Sequence, residues 1–147
     1  MFILADMLPL LVIPLVIYNL MILGPIIGPV ADAQAWLAQP VFSVHMFSGD
    51  LWHVSSGDAL LGTAVFLLFI EIVKSTRTDS ISLINHGLGT LLFIFFLIEF
   101  LTMRGFSNSV FGLLTALQLV DVVAGYTVTA VAAKRDIGST GGILGTN

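Results

Sequence analysis

The chain has 147 residues, of which 57% are hydrophobic and only 10% are charged, and its mean hydropathy is +1.05. Water-soluble domains carry about 25% charged residues, and a soluble domain of this size cannot bury so much apolar surface. The net charge of −4 is spread thinly, which excludes the basic surface that nucleic-acid binding requires. The chain has no cysteines, so disulfides, thiolate nucleophiles and metal–thiolate sites are also excluded. The composition therefore predicts an integral membrane protein.

Four apolar stretches approach the roughly 20 residues that a helix needs to cross the hydrocarbon core. They lie at about residues 7–27, 55–74, 81–103 and 110–133. The alternating pattern of transmembrane β-strands is absent. We therefore predict an all-α fold, a polytopic bundle of four transmembrane helices with a short interfacial outer loop, in a single domain over residues 1–137. The Gly- and Thr-rich segment 138–147 is predicted to be a flexible tail.

The first stretch is rich in proline, and Gly24 directly precedes Pro25. Because proline removes a backbone donor and bends or ends a helix, we expect a bent helix that stops near Gly24-Pro25. The pattern Ala31-Asp32-Ala33 has the small-residue spacing of a signal-peptide cleavage site. However, the stretch has no positively charged start and exceeds a typical signal core, which favours its retention as a span.

The second stretch is the shortest, because only about fifteen residues separate Asp58 from Lys74. Extended back through Ser55 and Ser56, either of which is a suitable N-cap residue, it becomes long enough to span a bilayer. A re-entrant or buried core helix is the alternative interpretation.

The distribution of Lys and Arg predicts the orientation, because cytoplasmic loops are enriched in these residues. The connection 31–57 contains none, and Arg104 is the only one between the third and fourth stretches. We therefore predict a multi-pass protein of the plasma (inner) membrane with both termini in the cytoplasm. The four basic residues on the cytoplasmic side would be Lys74, Arg77, Lys134 and Arg135.

The connection 31–57 is predicted to lie on the outer membrane surface, because Trp36 and Trp52 favour the headgroup level. Asp32 is placed to cap a short helix that runs to Gln39. The next segment holds two histidines and two aspartates, and each aspartate ends a Ser-Gly-Asp sequence that is typical of turns. A metal site needs three or four converging ligands. The two histidines and two aspartates here are His45, Asp50, His53 and Asp58. Because their spacing matches no metal motif, we predict exposed interfacial histidines and no metal site.

Asp121 falls near the centre of the fourth stretch, where an ionisable group is costly and is a candidate functional residue. Small and polar residues lie on the same helix face, before and after Asp121, at spacings of three and four, and such a stripe faces protein. They are Gly112, Thr115, Gln118, Gly125 and Thr129.

Counting about 1.5 Å of rise per residue places polar residues of other helices at a depth similar to that of Asp121. We therefore predict an intramembrane polar site composed of Asp121, Gln118, Tyr18, Asn19 and Thr90. The favoured interpretation is hydrogen bonding that holds the helices together. The alternative is a proton or ligand site.

Glu71 and His86 lie at similar distances from the turn between the second and third stretches. In an antiparallel hairpin they would meet, and we interpret them as a pair that locks the hairpin, with a proton relay as the alternative. Glu99 lies near the outer end of the third stretch, about one turn before Arg104. These two residues are predicted to form an ion pair at the membrane boundary.

Nothing in the sequence argues for an enzyme, since it has no Gly-rich phosphate loop, nucleophile elbow or helix-borne metal motif. His86 is the only histidine in a predicted span, which argues against bis-histidine haem, and no cofactor is predicted. The favoured function is a non-catalytic accessory, scaffold or subunit component of a membrane assembly. Its partners would be the lipid bilayer and other membrane subunits or copies of itself. The alternatives are a small proton-coupled transporter or carrier centred on Asp121, and a quinone- or lipid-binding enzyme subunit.

Overall fold

A computed structural model describes residues 8–23, 30–76 and 80–141. These residues are mostly helical and include a two-stranded sheet. In chain order, the elements are α1 (Val12–Leu23), α2 (Val30–Leu37), β1 (Pro40–His45), β2 (Leu51–Ser55), α3 (Ser56–Lys74), α4 (Ser80–Thr102) and α5 (Ser109–Gly141).

Helices α3, α4 and α5 are long and apolar enough to cross a membrane, which confirms three helices of the predicted length. Their apolar segments are Ser56–Lys74, Ile84–Thr102 and Ser109–Val131. Helix α1 is shorter, and its apolar segment is Val12–Ile22. Its length alone therefore does not make it a fourth span. The predicted end of this helix near Gly24-Pro25 lies outside the described residues.

Helix α5 continues to Gly141, well beyond the predicted end of the fourth span near residue 133. It therefore includes residues 138–141, where the sequence predicts a flexible tail. Extending an existing helix adds one hydrogen bond for each residue that is ordered, so polar residues can follow an apolar segment without a break.

Helix α5 packs against both α3 and α4 and is the central element of the bundle. Helix α1 packs against α2 and α3, and α2 also contacts α3. The buried apolar side chains of the described residues form a core, whose largest fully buried members are Tyr18, Phe96, Phe106, Phe111, Leu11 and Leu114.

The bundle has two ends, the Lys74 end and the hairpin end. At the Lys74 end, α3 finishes and α4 begins. At the hairpin end, the β-hairpin leads into α3, and the connection 103–108 joins α4 to α5. A Cβ atom built on Gly57 would lie 2.9 Å from Val110 Cγ2, which shows how closely the starts of α3 and α5 approach each other.

The β-hairpin is the largest departure from the predicted all-α fold. Strands β1 and β2 pair antiparallel, with Phe42 opposite Val54 and Val44 opposite Trp52. The turn is closed by the Met46 N–H, which donates to the Asp50 carbonyl at 2.9 Å. The Ser-Gly-Asp sequence at 48–50 lies in this turn, as predicted, and Gly49 adopts a φ of 92°. Val, Phe and Trp favour pleated strands, which accounts for the hairpin.

The helix starts that the sequence predicts agree in part with the structure. Helix α2 confirms a short helix before Pro40, but it begins at Val30, so Asp32 lies inside the helix and is not its N-cap. Ser55 is the N-cap of α3, as predicted. Its hydroxyl accepts the Asp58 N–H at 3.1 Å, and the Asp58 carboxylate accepts the Ser55 N–H at 2.9 Å. This reciprocal capping box satisfies two backbone donors at the start of the helix.

Candidate functional site

Glu71 is only 2% exposed, and its carboxylate contacts three other residues. One carboxylate oxygen accepts the Leu10 backbone N–H at 3.0 Å, and the other accepts the Asn85 side-chain amide. Lys74 Nζ lies 3.4 Å from Glu71 Oε2. This single carboxylate therefore joins α3 to α4 and to the chain just before α1.

Each contact of Glu71 has a local cause. The Leu10 N–H precedes α1 and has no acceptor within that helix, and a carboxylate at a helix N-terminus is electrostatically favourable. Lys74 follows Glu71 by three residues, the spacing that brings side chains together on one helix face. Glu71 is therefore held by groups from three elements at the Lys74 end.

The sequence predicts that Glu71 of α3 pairs with His86 of α4 and so holds these two helices together. The two helices are connected here through a different residue. The α4 side chain that donates to Glu71 is Asn85, which directly precedes His86. His86 Nε2 instead lies 2.9 Å from the Thr129 hydroxyl of α5, and its ring packs 5.6 Å from the ring of Tyr126. Asn85 thus connects α4 to α3, and His86 connects α4 to α5.

Asp121 is 7% exposed and lies where α5 faces α4. Its carboxylate accepts the Gln118 amide at 3.1 Å, and the same Gln118 nitrogen lies 3.2 Å from the Gly89 carbonyl of α4. A Cβ atom at Gly89 would lie 3.4 Å from the Asp121 carboxylate. The backbone of α4 at Gly89 therefore lies directly beside the Asp121–Gln118 pair of α5.

The face of α5 that carries Asp121 is turned towards protein, as the stripe of small and polar residues predicts. Thr115, Gln118, Asp121 and Gly125 are all buried. Glu71 with its partners and Asp121 with Gln118 form two separate polar clusters in the bundle. Asn85 and Gly89, which contact the two clusters, are one helical turn apart on α4.

Two buried oxygen atoms in this region have no hydrogen-bond partner among the described residues. They are Asn85 Oδ1 and Gln118 Oε1. The Gln118 nitrogen faces two oxygen acceptors, and turning the amide over would bring oxygen against oxygen. A buried acceptor without a donor costs about 1–3 kcal/mol. These two oxygens are therefore the positions at which a further hydrogen-bond donor would stabilise the bundle.

Tyr18, Asn19 and Thr90 do not join Asp121, so the predicted five-residue site contains only the Asp121–Gln118 pair. The Tyr18 hydroxyl donates to the Gly105 carbonyl at 2.8 Å, at the hairpin end. Thr90 donates to the carbonyl of His86 in its own helix at 3.0 Å. Counting residues along separate stretches could not predict these partners, because it fixes neither the height nor the tilt of α1 relative to α5.

Asn19 also has a different partner from the one predicted. Its amide donates to the Glu99 carboxylate at 3.0 Å, which connects α1 to α4. Glu99 therefore bonds to Asn19 in the described part of the chain, whereas Arg104 is exposed in the connection between α4 and α5. The predicted boundary ion pair is replaced by a contact between two helices.

Asn108 is a residue of this network that the sequence reasoning missed. Its side-chain oxygen Oδ1 accepts the Phe111 N–H at 3.1 Å and caps α5, while its side-chain nitrogen donates to the Tyr18 hydroxyl. The signal was present, since asparagine immediately before a helix is a preferred N-cap residue. The Tyr18 ring completes the contact by packing 4.7 Å from the Phe111 ring.

The histidines of the hairpin are exposed, as predicted. The Ser43 hydroxyl lies 2.7 Å from His53 Nδ1 across the two strands, and His45 pairs with Leu51. Within residues 8–23, 30–76 and 80–141, no group of three or more His, Cys, Asp or Glu side chains is arranged to hold a metal ion.

An open groove of about 320 Å³ lies at the hairpin end between α2 and the start of α5. Leu37, Ala38 and Val110 form apolar parts of its lining, and Asn108 and Ser109 contribute polar atoms.

No family model matches the chain, and neither a curated protein nor a solved structure matches it.

Proposed function

We propose that this protein is a non-catalytic, multi-pass component of a membrane assembly, acting as an accessory or scaffold subunit. The observation that supports this proposal is the use of the internal polar side chains. Glu71 and Glu99 each bond to another element, and Asp121 bonds to Gln118, which reaches the Gly89 carbonyl of α4. Polar groups that are used to join helices stabilise a bundle and leave little free for a reaction.

The contacts of α1 support a fourth span in the proposed bundle. Before α1, the Leu10 N–H donates to Glu71 at the Lys74 end. Towards its other end, Tyr18 and Asn19 bond to Gly105 and Glu99 at the hairpin end. Helix α1 and the residues just before it therefore extend from the Lys74 end towards the hairpin end, the two ends that α4 also connects. In this proposal the Lys74 end and both termini face the cytoplasm, as the Lys and Arg distribution predicts, and the hairpin end lies at the outer face of the plasma membrane.

The surface of the three long helices supports the proposed environment and partners. Large apolar side chains are exposed along each of them, which suits contact with lipid or with other membrane subunits. Examples are Phe66 and Phe69 in α3, Phe95 and Leu101 in α4, and Leu113 and Val123 in α5.

Native mass spectrometry of the protein, extracted gently from its own membrane, tests the proposal. We expect it to be recovered with other subunits or with further copies of itself. Asp121→Asn keeps the shape and hydrogen bonding of the side chain and should assemble like the unaltered chain. Asp121→Leu, the matched apolar change, should reduce assembly by removing the acceptor for Gln118. Recovery as a single copy without partners would contradict the proposal.

A proton-coupled carrier centred on Asp121 is the second candidate, and the two unbonded amide oxygens favour it. Asn85 Oδ1 and Gln118 Oε1 are acceptors near two carboxylates, an arrangement that suits a bound water or a protonated species. Proton flux into vesicles that contain the purified protein, reported by an enclosed pH-sensitive dye, tests this function. Asp121→Asn should then fold normally and lose the flux. Equal flux in vesicles with and without the protein would eliminate the carrier.

A further inference from the structure

The strand register divides the hairpin into two chemically different faces. Residues that are directly opposite each other in an antiparallel pair lie on the same face. Phe42 pairs with Val54 and Val44 with Trp52, so these four apolar side chains share one face. Ser43 pairs with His53 on the other face, where their side chains are hydrogen-bonded. The hairpin is therefore amphipathic, and its apolar face is defined by Phe42, Val44, Trp52 and Val54.

The apolar face is only partly covered by the protein. Val54, next to the start of α3, is 7% exposed, whereas Phe42 is 53% and Trp52 is 55% exposed. Phe47, in the turn, is fully exposed. A two-stranded hairpin is only marginally stable in water, and exposed contiguous apolar side chains mark a surface that contacts something else.

The position of the hairpin in the fold indicates what covers this face. Strand β2 ends at Ser55, and α3, which is long and apolar enough to cross a membrane, begins at Ser56. The capping box joins the two elements without a linker. The base of the hairpin therefore lies where α3 would enter the bilayer, at the level of the lipid headgroups.

The chemistry of the two faces fits a lipid surface. The apolar face carries no charged residue, and Trp52 is of the type that is enriched at the membrane–water boundary. The opposite face carries the polar side chains of Ser43, His45 and His53 together with one apolar side chain, Leu51, which is 44% exposed. An amphipathic element of this kind lies in the plane of the interface with its apolar side buried among the headgroups and upper acyl chains. The hairpin has no Lys or Arg, so attraction to anionic lipid is not what holds it there.

We propose that the hairpin is a lipid-docking element whose apolar face lies on the surface of the bilayer, with zwitterionic lipid as a sufficient partner. This inference rests on the span α3 and not on the role proposed for the whole protein. It can therefore fail while the accessory function stands, and the reverse also holds.

Trp52 provides a direct test, because the chain has two tryptophans and Trp36→Phe leaves Trp52 as the only one. This variant of the full chain is placed in phosphatidylcholine vesicles. We expect brominated acyl chains to quench the Trp52 fluorescence strongly and aqueous iodide to quench it weakly. Strong quenching by iodide with none by bromine would overturn the proposal, since the face would then be in water. Protection from both quenchers would also overturn it, because protein would then cover the face.

Spin labels attached to single introduced cysteines give an independent test, because the chain has no cysteine of its own. This test does not require the replacement of Trp36. Labels at Phe42 and Val44 should collide mainly with oxygen dissolved in lipid. Labels at the matched positions Ser43 and His45, on the opposite face, should collide mainly with a water-soluble nickel complex. The expected result is alternation along β1. Equal access of the nickel complex at all four positions would contradict lipid docking, and so would equal protection from both reagents.

Discussion

Gly125 of α5 lies directly against the imidazole ring of His86 in α4. A Cβ atom on Gly125 would lie 2.5 Å from His86 Nδ1 and 2.7 Å from Cε1, closer than a side chain tolerates. The same histidine reaches the Thr129 hydroxyl one turn further along α5. The absence of a side chain at residue 125 thus makes room for the His86–Thr129 hydrogen bond.

Gly125→Ala should therefore destabilise the bundle, by about 1–3 kcal/mol, because the added methyl group displaces a buried ring. The measurement is the free energy of unfolding in mild detergent. Gly87→Ala in α4 is the matched control, since a Cβ atom there meets nothing within 4 Å. Alanine is the better helix former, so the control should be neutral or stabilised by up to about 1 kcal/mol. Equal effects of the two changes would show that His86 does not occupy this position.

A double-mutant cycle should detect the contact between Glu71 and Asn85. Glu71→Leu leaves the Asn85 amide without its acceptor, and Asn85→Leu removes one of the donors to the buried Glu71 carboxylate, so each change should cost about 1–3 kcal/mol of the free energy of unfolding. Replacing both should recover part of this loss, with a coupling of about 0.6 kcal/mol or more. Glu71→Leu combined with Thr129→Val is the control, and these losses should add because Thr129 bonds to His86. Additive losses for Glu71 and Asn85 would mean that their hydrogen bond contributes nothing.

Ser55→Ala should weaken the start of α3 by about 1 kcal/mol, because it removes the N-cap hydroxyl and half of the capping box. Hydrogen exchange of the backbone amides in the first turn of α3, including Asp58, reports this loss as faster exchange. Ser48→Ala is the same chemical change in an exposed turn, where the hydroxyl bonds to Asp50 of the same turn. It should leave the exchange in α3 unchanged. An unaltered exchange rate in Ser55→Ala would show that the cap is not formed.

Single cysteines should report the proposed orientation, since no native thiol competes for the label. A membrane-impermeant maleimide added to intact cells should label Ser43→Cys in the hairpin and should not label Thr76→Cys, which lies just after α3. Opening the cells should make Thr76→Cys reactive. Ala64→Cys, in the middle of α3 and fully buried, should stay unlabelled in both conditions. Labelling of residue 43 only in opened cells would reverse the orientation.

Local patterns predicted the parts of the fold that depend on neighbouring residues. The length of an apolar stretch determines whether it can cross a bilayer, so the helices α3, α4 and α5 were predictable. An N-cap depends on residues within one turn, so Ser55 was predictable too. The hairpin was missed although Val-Phe-Ser-Val-His and Leu-Trp-His-Val-Ser flank a turn, because both segments are short and the surrounding helices dominate the composition. Short apolar runs do not by themselves distinguish strands from helices.

The contacts between helices could be predicted only where chain connectivity restricts them. Glu71 and the start of α4 flank one short turn, so a partner near His86 was predictable, and the error was a single residue, Asn85. Tyr18 lies in a helix whose connection to the rest runs through a long segment. Its height relative to Asp121 depends on packing and tilt, which residue counting does not determine.

Strand β2 leads directly into α3, a helix long and apolar enough to cross a membrane, so the hairpin extends from the helix start like a lever arm. The five residues of β2 reach about 16 Å from the helix start at about 3.3 Å per residue. A change of about 20° in the tilt of α3 then displaces the far end of the strand by about 6 Å. When that strand rests on the bilayer, the lipid surface resists the displacement and restrains the angle of the helix. In the proposed arrangement, a change in the tilt of α3 would also move Glu71 and Lys74, which lie at the opposite end of the same helix.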